Sequence, residues 1–264
     1  MNEEHPAAHL QESVAALRRR ATFAVVGLAA AMLARGIDLV LREWSIVLLE
    51  PVRASGEAAS PELLAQLTTA DATIDAIVVA VTVTFVVTGF FFIRWMHRLV
   101  ALTRALGATI PWTPSQAGWA FIIPFISLVR PYQVLSSTRA ALEPENVAPP
   151  APRVDPSAQG DYRSTAFIVP APAQRLPAAL IGLWWGAFLV LSLGGRLLPK
   201  DMSTVDKVVS AYQMSMFVDA AALVAGALAI TVVRGLTARL EERFRRIRAS
   251  TPEALAAQGI ELGA

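Results

Sequence analysis

The sequence predicts an all-α protein, a polytopic membrane helical bundle of four transmembrane helices plus one Pro-broken helix that is re-entrant or in-plane. Three observations predict it. Of 264 residues, 55% are hydrophobic and only 17% charged, with a mean hydropathy of +0.50; a soluble domain carries roughly a quarter charged residues. The apolar residues fall in long unbroken runs separated by charged clusters. The basic residues, 21 Arg against two Lys, gather beside those runs. Flanking Arg of this kind sets membrane topology and does not line a nucleic-acid groove, so no nucleic-acid partner is expected.

Four runs reach the about 20 apolar residues that a helical crossing needs: Ala21 to Leu41, Ile74 to Ile93, Ala178 to Leu198 and Met214 to Val233. Before the first, residues 1–20 read as a cytoplasmic amphipathic segment closed by Arg18, Arg19 and Arg20. The run that follows outlasts a signal-peptide core, so it reads as an uncleaved anchor. Around the second run, Ser60-Pro61-Glu62 is a helix start and Gly107 a helix stop. One helix of ~70 Å between them, at 1.5 Å per residue, overhangs the bilayer on both sides. The fourth run continues into Arg234 to Ala249, where Leu236, Leu240, Phe244 and Ile247 share one face. This basic extension is expected to lie on the membrane surface, its Arg side chains snorkelling.

A fifth apolar stretch, Ala117 to Val129, has 13 residues and is interrupted by Pro124. Charge parity decides against its crossing. With four spans and the N-terminus inside, the cytoplasmic side receives the Arg18–Arg20 cluster, Arg94 to Arg175 and the tail from Arg234 to Arg248. The outside keeps Arg42, Arg53, Arg196, Lys200 and Lys207. A fifth span would export the six-Arg tail. The expected place is therefore the cell (inner) membrane, with both termini cytoplasmic. The resulting organisation is residues 1–20; a first hairpin plus broken helix, 21–136; a cytoplasmic linker, 137–177, with eight prolines from Pro144 to Pro177; a second hairpin with its basic extension, 178–249; and a tail, 250–264. The hairpins share a Gly/Arg pair (Arg35-Gly36, Gly195-Arg196) and an outer acid (Asp75, Asp219), the outline of an internal duplication.

Several motifs surround the broken stretch: Trp95-x-x-Arg98, Leu106-Gly107, Pro114, Trp119, Pro124, Arg130-Pro131-Tyr132-Gln133, and Gly182-Leu183-Trp184-Trp185 opening the third span. In combination they resemble the bacterial membrane family catalogued as domain of unknown function 4328, over roughly residues 70 to 245. Met96-His97-Arg98-Leu99 departs from the family's usual aromatic, Arg/Asn-rich stretch. The resemblance implies a multi-span membrane domain and brings no activity with it.

Two groups of residues are candidates for function. The first is the broken segment, with Trp112, Pro114, Trp119, Pro124, Arg130, Pro131 and Tyr132. Thr113-Pro114-Ser115-Gln116 reads as a capping box, Pro124 as a kink and Pro131 as an end or second kink. Such a segment either anchors in the headgroup region through Trp112 and Trp119 or contacts a lipid or ligand through Arg130 and Tyr132. The second is an intramembrane polar cluster: Arg35, Asp38, Asp75, Arg196 and Asp219. By helical rise Arg35 lies ~20 Å into the first span, and Asp219 ~10 Å below the outer surface. Arg35 with Asp219, and Asp38 with Arg196, are the expected pairs, holding the hairpins together or lining an ion path.

Cysteine is absent and only three His occur, so no metal and no cofactor is expected. No H-E-x-x-H, G-x-S-x-G or Walker loop occurs, and no residue is assigned a catalytic role. Two classes of function remain. One is a non-catalytic scaffold or accessory subunit, partnered by the bilayer, by anionic lipid at the Arg clusters and by another protein. The other is a small-solute, ion or proton transporter or channel-like protein using the broken helix and the charge cluster.

Overall fold

The structure, a computed structural model, describes residues 6–55, 60–123, 125–143, 176–194, 196 and 203–249. These residues form six α-helices: α1 Pro6–Ser55, α2 Pro61–Ala105, α3 Pro114–Trp119, α4 Arg130–Ala141, α5 Ala178–Gly194 and α6 Val205–Ala249, with one 3-10 turn at Ile126–Leu128. No strand occurs among the described residues. Three helices are long and apolar enough to cross a membrane, Leu10–Ser55, Pro61–Ala105 and Val205–Arg248; Ala178–Gly194 is apolar and shorter, at 17 residues. Most of the Pro-rich linker, the tail 250–264, Gly195 and Pro124 fall outside the described residues.

The chain forms two compact units, each taking part of α1, α2 and α6. One, the apolar unit, lies within Arg20–Arg94 and Ala179–Val233; the other, the basic unit, within Met1–Arg19, Trp95–Ala178 and Arg234–Ala264.

In the apolar unit, small residues set how closely helices approach. Ala211, Ser215, Ala222, Ala225 and Ala229 form the buried face of α6. On that helix, a Cβ at Gly226 would stand 2.6 Å from Met32 Cγ of α1, and one at Gly194 of α5 would stand 2.8 Å from Val218. This is the small-residue packing that membrane helices use when solvent gives no hydrophobic drive between them. Phe92 of α2 stacks on Trp184, and Trp184 and Trp185 on Phe188, so the Gly-Leu-Trp-Trp motif supplies an aromatic cluster. The outward faces stay apolar: Val79, Val83, Phe85, Val86 and Phe90 of α2 are all exposed. An exposed apolar face of this size marks a surface that a membrane or another protein covers.

The basic unit has a conventional core. Leu17, Trp95, Met96, Leu99, Val134, Leu135, Leu236 and Leu240 are completely buried. The apolar face of the α6 extension is therefore filled by protein, which corrects the expectation that it lies on the membrane surface. Its buried positions are Leu236, Thr237, Arg239, Leu240, Arg243, Phe244 and Ile247, which follow the i, i+3, i+4, i+7 pattern of a core-facing helix. The periodicity was right and the covering medium was not.

Helix α2 ends as its sequence dictates. Gly107 adopts φ 75°, its N–H donates to Arg104 O at 2.9 Å, and Ala108 N–H donates to Thr103 O at 3.1 Å. These are the two bonds of a Schellman cap, and the left-handed residue is one that L side chains strain to adopt. Gly107→Ala should cost roughly 1–2 kcal/mol, read as a lower melting temperature in detergent, with Gly107→Asn losing less. Equal stability of all three proteins would refute this account of the turn.

Candidate functional site

The polar cluster of the apolar unit is centred on α1 and α6. Asp219 on α6 is wholly buried, and Arg35 Nη1 of α1 donates to its Oδ1 at 2.6 Å. One turn along α1, Arg42 Nε donates to Asp38 Oδ2 at 3.1 Å and lies 3.9 Å from Asp219 Oδ2. The two carboxylates thus flank one guanidinium, and the four charges sum to zero. Asp38 Oδ1 and Asp219 Oδ2 are buried without a hydrogen-bond partner. Arg42 also lies over the ring of Tyr212, 5.8 Å from its centroid, and the Tyr212 hydroxyl donates to Asp71 Oδ1 at 3.1 Å.

The structure therefore joins Arg35 to Asp219 but gives Asp38 to Arg42, not to Arg196. Arg196 and Asp75 are exposed, so the two outer acids of the apparent duplication sit in unlike surroundings. Arg42, Tyr212 and Asp71 were missed. The reading closed the first helix at Leu41, the last residue of the apolar run, whereas α1 continues through Pro51 to Ser55. Asp38 and Arg42 are then an i, i+4 pair on one helix, which spacing alone could have shown.

The broken segment belongs to the basic unit. Thr113 caps α3 with the reciprocal bonds of a capping box: Gln116 N–H to Thr113 Oγ1 at 3.2 Å, and Thr113 N–H to Gln116 Oε1 at 3.0 Å. Pro114 opens that helix, which stops after six residues at Trp119. Phe125, beside Pro124, takes φ 63° and is 84% exposed; a left-handed bulky residue is strained. Pro131 stands in the first turn of α4 instead of ending or kinking a helix. Proline's fixed φ and missing N–H suit a first turn, where the donor would be orphaned anyway. Arg130 lies over the Trp112 ring at 5.7 Å, and Arg104 Nη1 donates to Trp112 O at 3.2 Å. Trp119, Ile122, Phe125, Val129 and Tyr132 are exposed, while Ala117, Ala120, Pro131, Val134 and Leu135 are buried. The segment is thus bound to its unit along one edge and presents an apolar, aromatic edge outward.

The basic unit also contains clustered guanidinium groups, and two of them, Arg239 and Arg243 of the extension expected at the membrane surface, are buried. Arg243 Nε donates to Leu106 O at 3.1 Å and its Nη1 to Ala141 O at 3.0 Å. Its positive charge therefore meets the C-terminal carbonyls of α2 and α4, where the helix dipoles are negative. Arg139 Nη1 donates to Glu143 Oε1 and to Leu176 O. Arg239 is buried beside them. Burial lowers the pKa of Arg239 and Arg243, and for Arg239 the charge of Arg139 adds to this. Among the described residues, no group of three or more His, Cys, Asp or Glu is placed to hold a metal ion.

No curated protein and no solved structure matches the chain. A family model does match, over residues 62–238, and its description is Domain of unknown function (DUF4328). That span holds α2 from residue 62, the broken segment, α5 and α6 as far as residue 238, with Asp219, and the chain belongs to this family.

Proposed function

We propose that the chain is a non-catalytic scaffold or accessory subunit that crosses the inner membrane four times with both termini cytoplasmic. The observation that carries this reading is the self-neutralising Arg35–Asp219 and Arg42–Asp38 network. Intramembrane charges normally mark a pathway or a structural staple. Here the cations are spent on the carboxylates, and the described cavity beside α5 and α6 is lined by Leu189, Val190, Leu193, Met214 and Phe217 with no polar side chain. A bundle pinned in this way presents fixed surfaces. Helix α5, at 17 residues, is at the lower limit of a crossing helix and supplies the fourth span. The Arg distribution supplies the orientation. The exposed edge of Trp119, Ile122, Phe125 and Tyr132 suits an in-plane seat in the headgroup region, because α3 is too short to form the leg of a re-entrant hairpin. Anionic lipid at the Arg clusters and a protein partner at the exposed faces complete the proposal.

The second reading, an ion or proton pathway, is favoured by one observation: among the described residues, Asp38 Oδ1 and Asp219 Oδ2 are buried and accept no hydrogen bond. A single preparation separates the two. The protein is purified from native membranes, partners are identified, and it is then reconstituted in vesicles loaded with a pH dye. The scaffold reading expects a stoichiometric partner and a proton leak equal to that of empty vesicles. A leak abolished by Asp219→Asn would overturn it. Reporter fusions test the topology. Fusions after residues 58 and 200 should report an outside location, and fusions after residues 155 and 264 an inside one.

A further inference from the structure

One charge in the basic unit is only weakly partnered. The Arg239 side chain is only 4% exposed. Among the described residues its Nε and Nη1 are buried without a hydrogen-bond partner, and Glu143 Oε1 lies 4.0 Å from Nη1. That oxygen is held by Arg139 Nη1 instead. Two cations thus share one carboxylate, and the second is left short. On the same helix, Arg243 gives its own donors to the carbonyls of Leu106 and Ala141. A fold that needed only packing here would place an apolar side chain, since taking a guanidinium with unsatisfied donors out of water is unfavourable.

Glu143 differs from the groups it covers. Its side chain is 36% exposed, against 17% for Arg139 and 4% for Arg239. It is the most exposed of the three side chains. Behind it stand two planar guanidinium groups, the chemistry that recognises a tetrahedral oxyanion with several acceptors.

We propose that Arg139 and Arg239 form a binding site for a phosphate-bearing anion, with Glu143 occupying the site until the anion displaces it. A phosphate group brings the acceptors that the Arg239 donors lack and balances the second charge. Its source is either a lipid headgroup or a soluble phosphate. The site is independent of whether the protein is a scaffold or a transporter.

Calorimetric titration of the full-length protein in a non-ionic detergent tests this. One arm uses inorganic phosphate, and the other short-chain phosphatidylglycerol, with ionic strength matched by chloride. Binding in the first arm identifies a soluble ligand, and binding in the second alone identifies a headgroup. Arg239→Gln and, separately, Arg139→Gln should each weaken binding about ten- to a hundredfold, the loss of charge-assisted hydrogen bonds. Glu143→Gln should tighten it several-fold by removing the competitor, and this variant keeps both Arg residues should either Gln substitution fail to fold. No binding in either arm, binding indifferent to both Arg substitutions, or weakening by Glu143→Gln would each overturn the proposal.

Discussion

Asp219→Asn should lower the stability of the detergent-solubilised protein by roughly 3–5 kcal/mol, the cost of leaving a buried charge without its partner. The asymmetry of burial sets this size. Asp219 is wholly buried and Arg35 is 25% exposed, so solvent screens little of their attraction. After substitution Arg35 keeps its charge inside the apolar unit and Arg42 loses its second carboxylate neighbour. Arg35→Gln alone should also destabilise. The double variant should recover part of the combined loss, with a coupling of about 0.5–3 kcal/mol. Raising salt should leave the cycle unchanged. By contrast, Arg53–Asp206 joins side chains that are 45% and 73% exposed, and removing it should cost less than about 1 kcal/mol and be salt-sensitive. Thermal melts of the four proteins of the cycle decide the matter. Strict additivity would show that Arg35 and Asp219 do not rely on each other.

Local chemistry was the most legible part of this sequence. Ser60, Pro61 and Gly107 bound α2 because each supplies or removes one particular backbone hydrogen bond, and the observed helix, Pro61–Ala105, keeps those limits. The capping box at Thr113 follows from the same reasoning. Arg35 met Asp219 because helical rise places both at one depth, and an intramembrane charge needs an opposite one. Three features were harder to read, each for a physical reason. A hydropathy edge marks where lipid contact ends, not where a helix ends, so α1 ran on from Leu41 and brought Arg42 into the cluster. A proline after an arginine looks like a stop but serves equally as a start, as Pro131 does for α4. The extension of α6 gave its face correctly, since periodicity reports amphipathicity and is silent about what covers it. Arg239 and Arg243 on the Leu236–Ile247 face were the available signal. Arginines inside an apolar stripe do not suit a helix lying on lipid, and they fit when helix-end carbonyls or a ligand await them.

Trp95→Ala should cost the basic unit about 3–5 kcal/mol, the usual range for deleting a large buried aromatic side chain. Trp95 has no exposed surface, and its indole Nε1 donates to Thr237 Oγ1 at 3.0 Å, which ties α2 to the extension of α6. Packing dominates the loss and the hydrogen bond adds about 1 kcal/mol. Trp95→Phe should therefore recover most of the stability, and Thr237→Val should reproduce only the smaller part. Hydrogen exchange across residues 95–106 and 234–248 localises the effect, with faster exchange expected there in Trp95→Ala. Trp95 opens the Trp95-x-x-Arg98 pattern that carries the family resemblance. If Trp95→Phe folds normally and binds phosphate as the native protein does, the motif tryptophan is a packing residue, and ligand recognition rests with the arginines around it. If Trp95→Phe keeps its stability but loses binding, the indole itself belongs to the anion site, and the site is larger than Arg139 and Arg239.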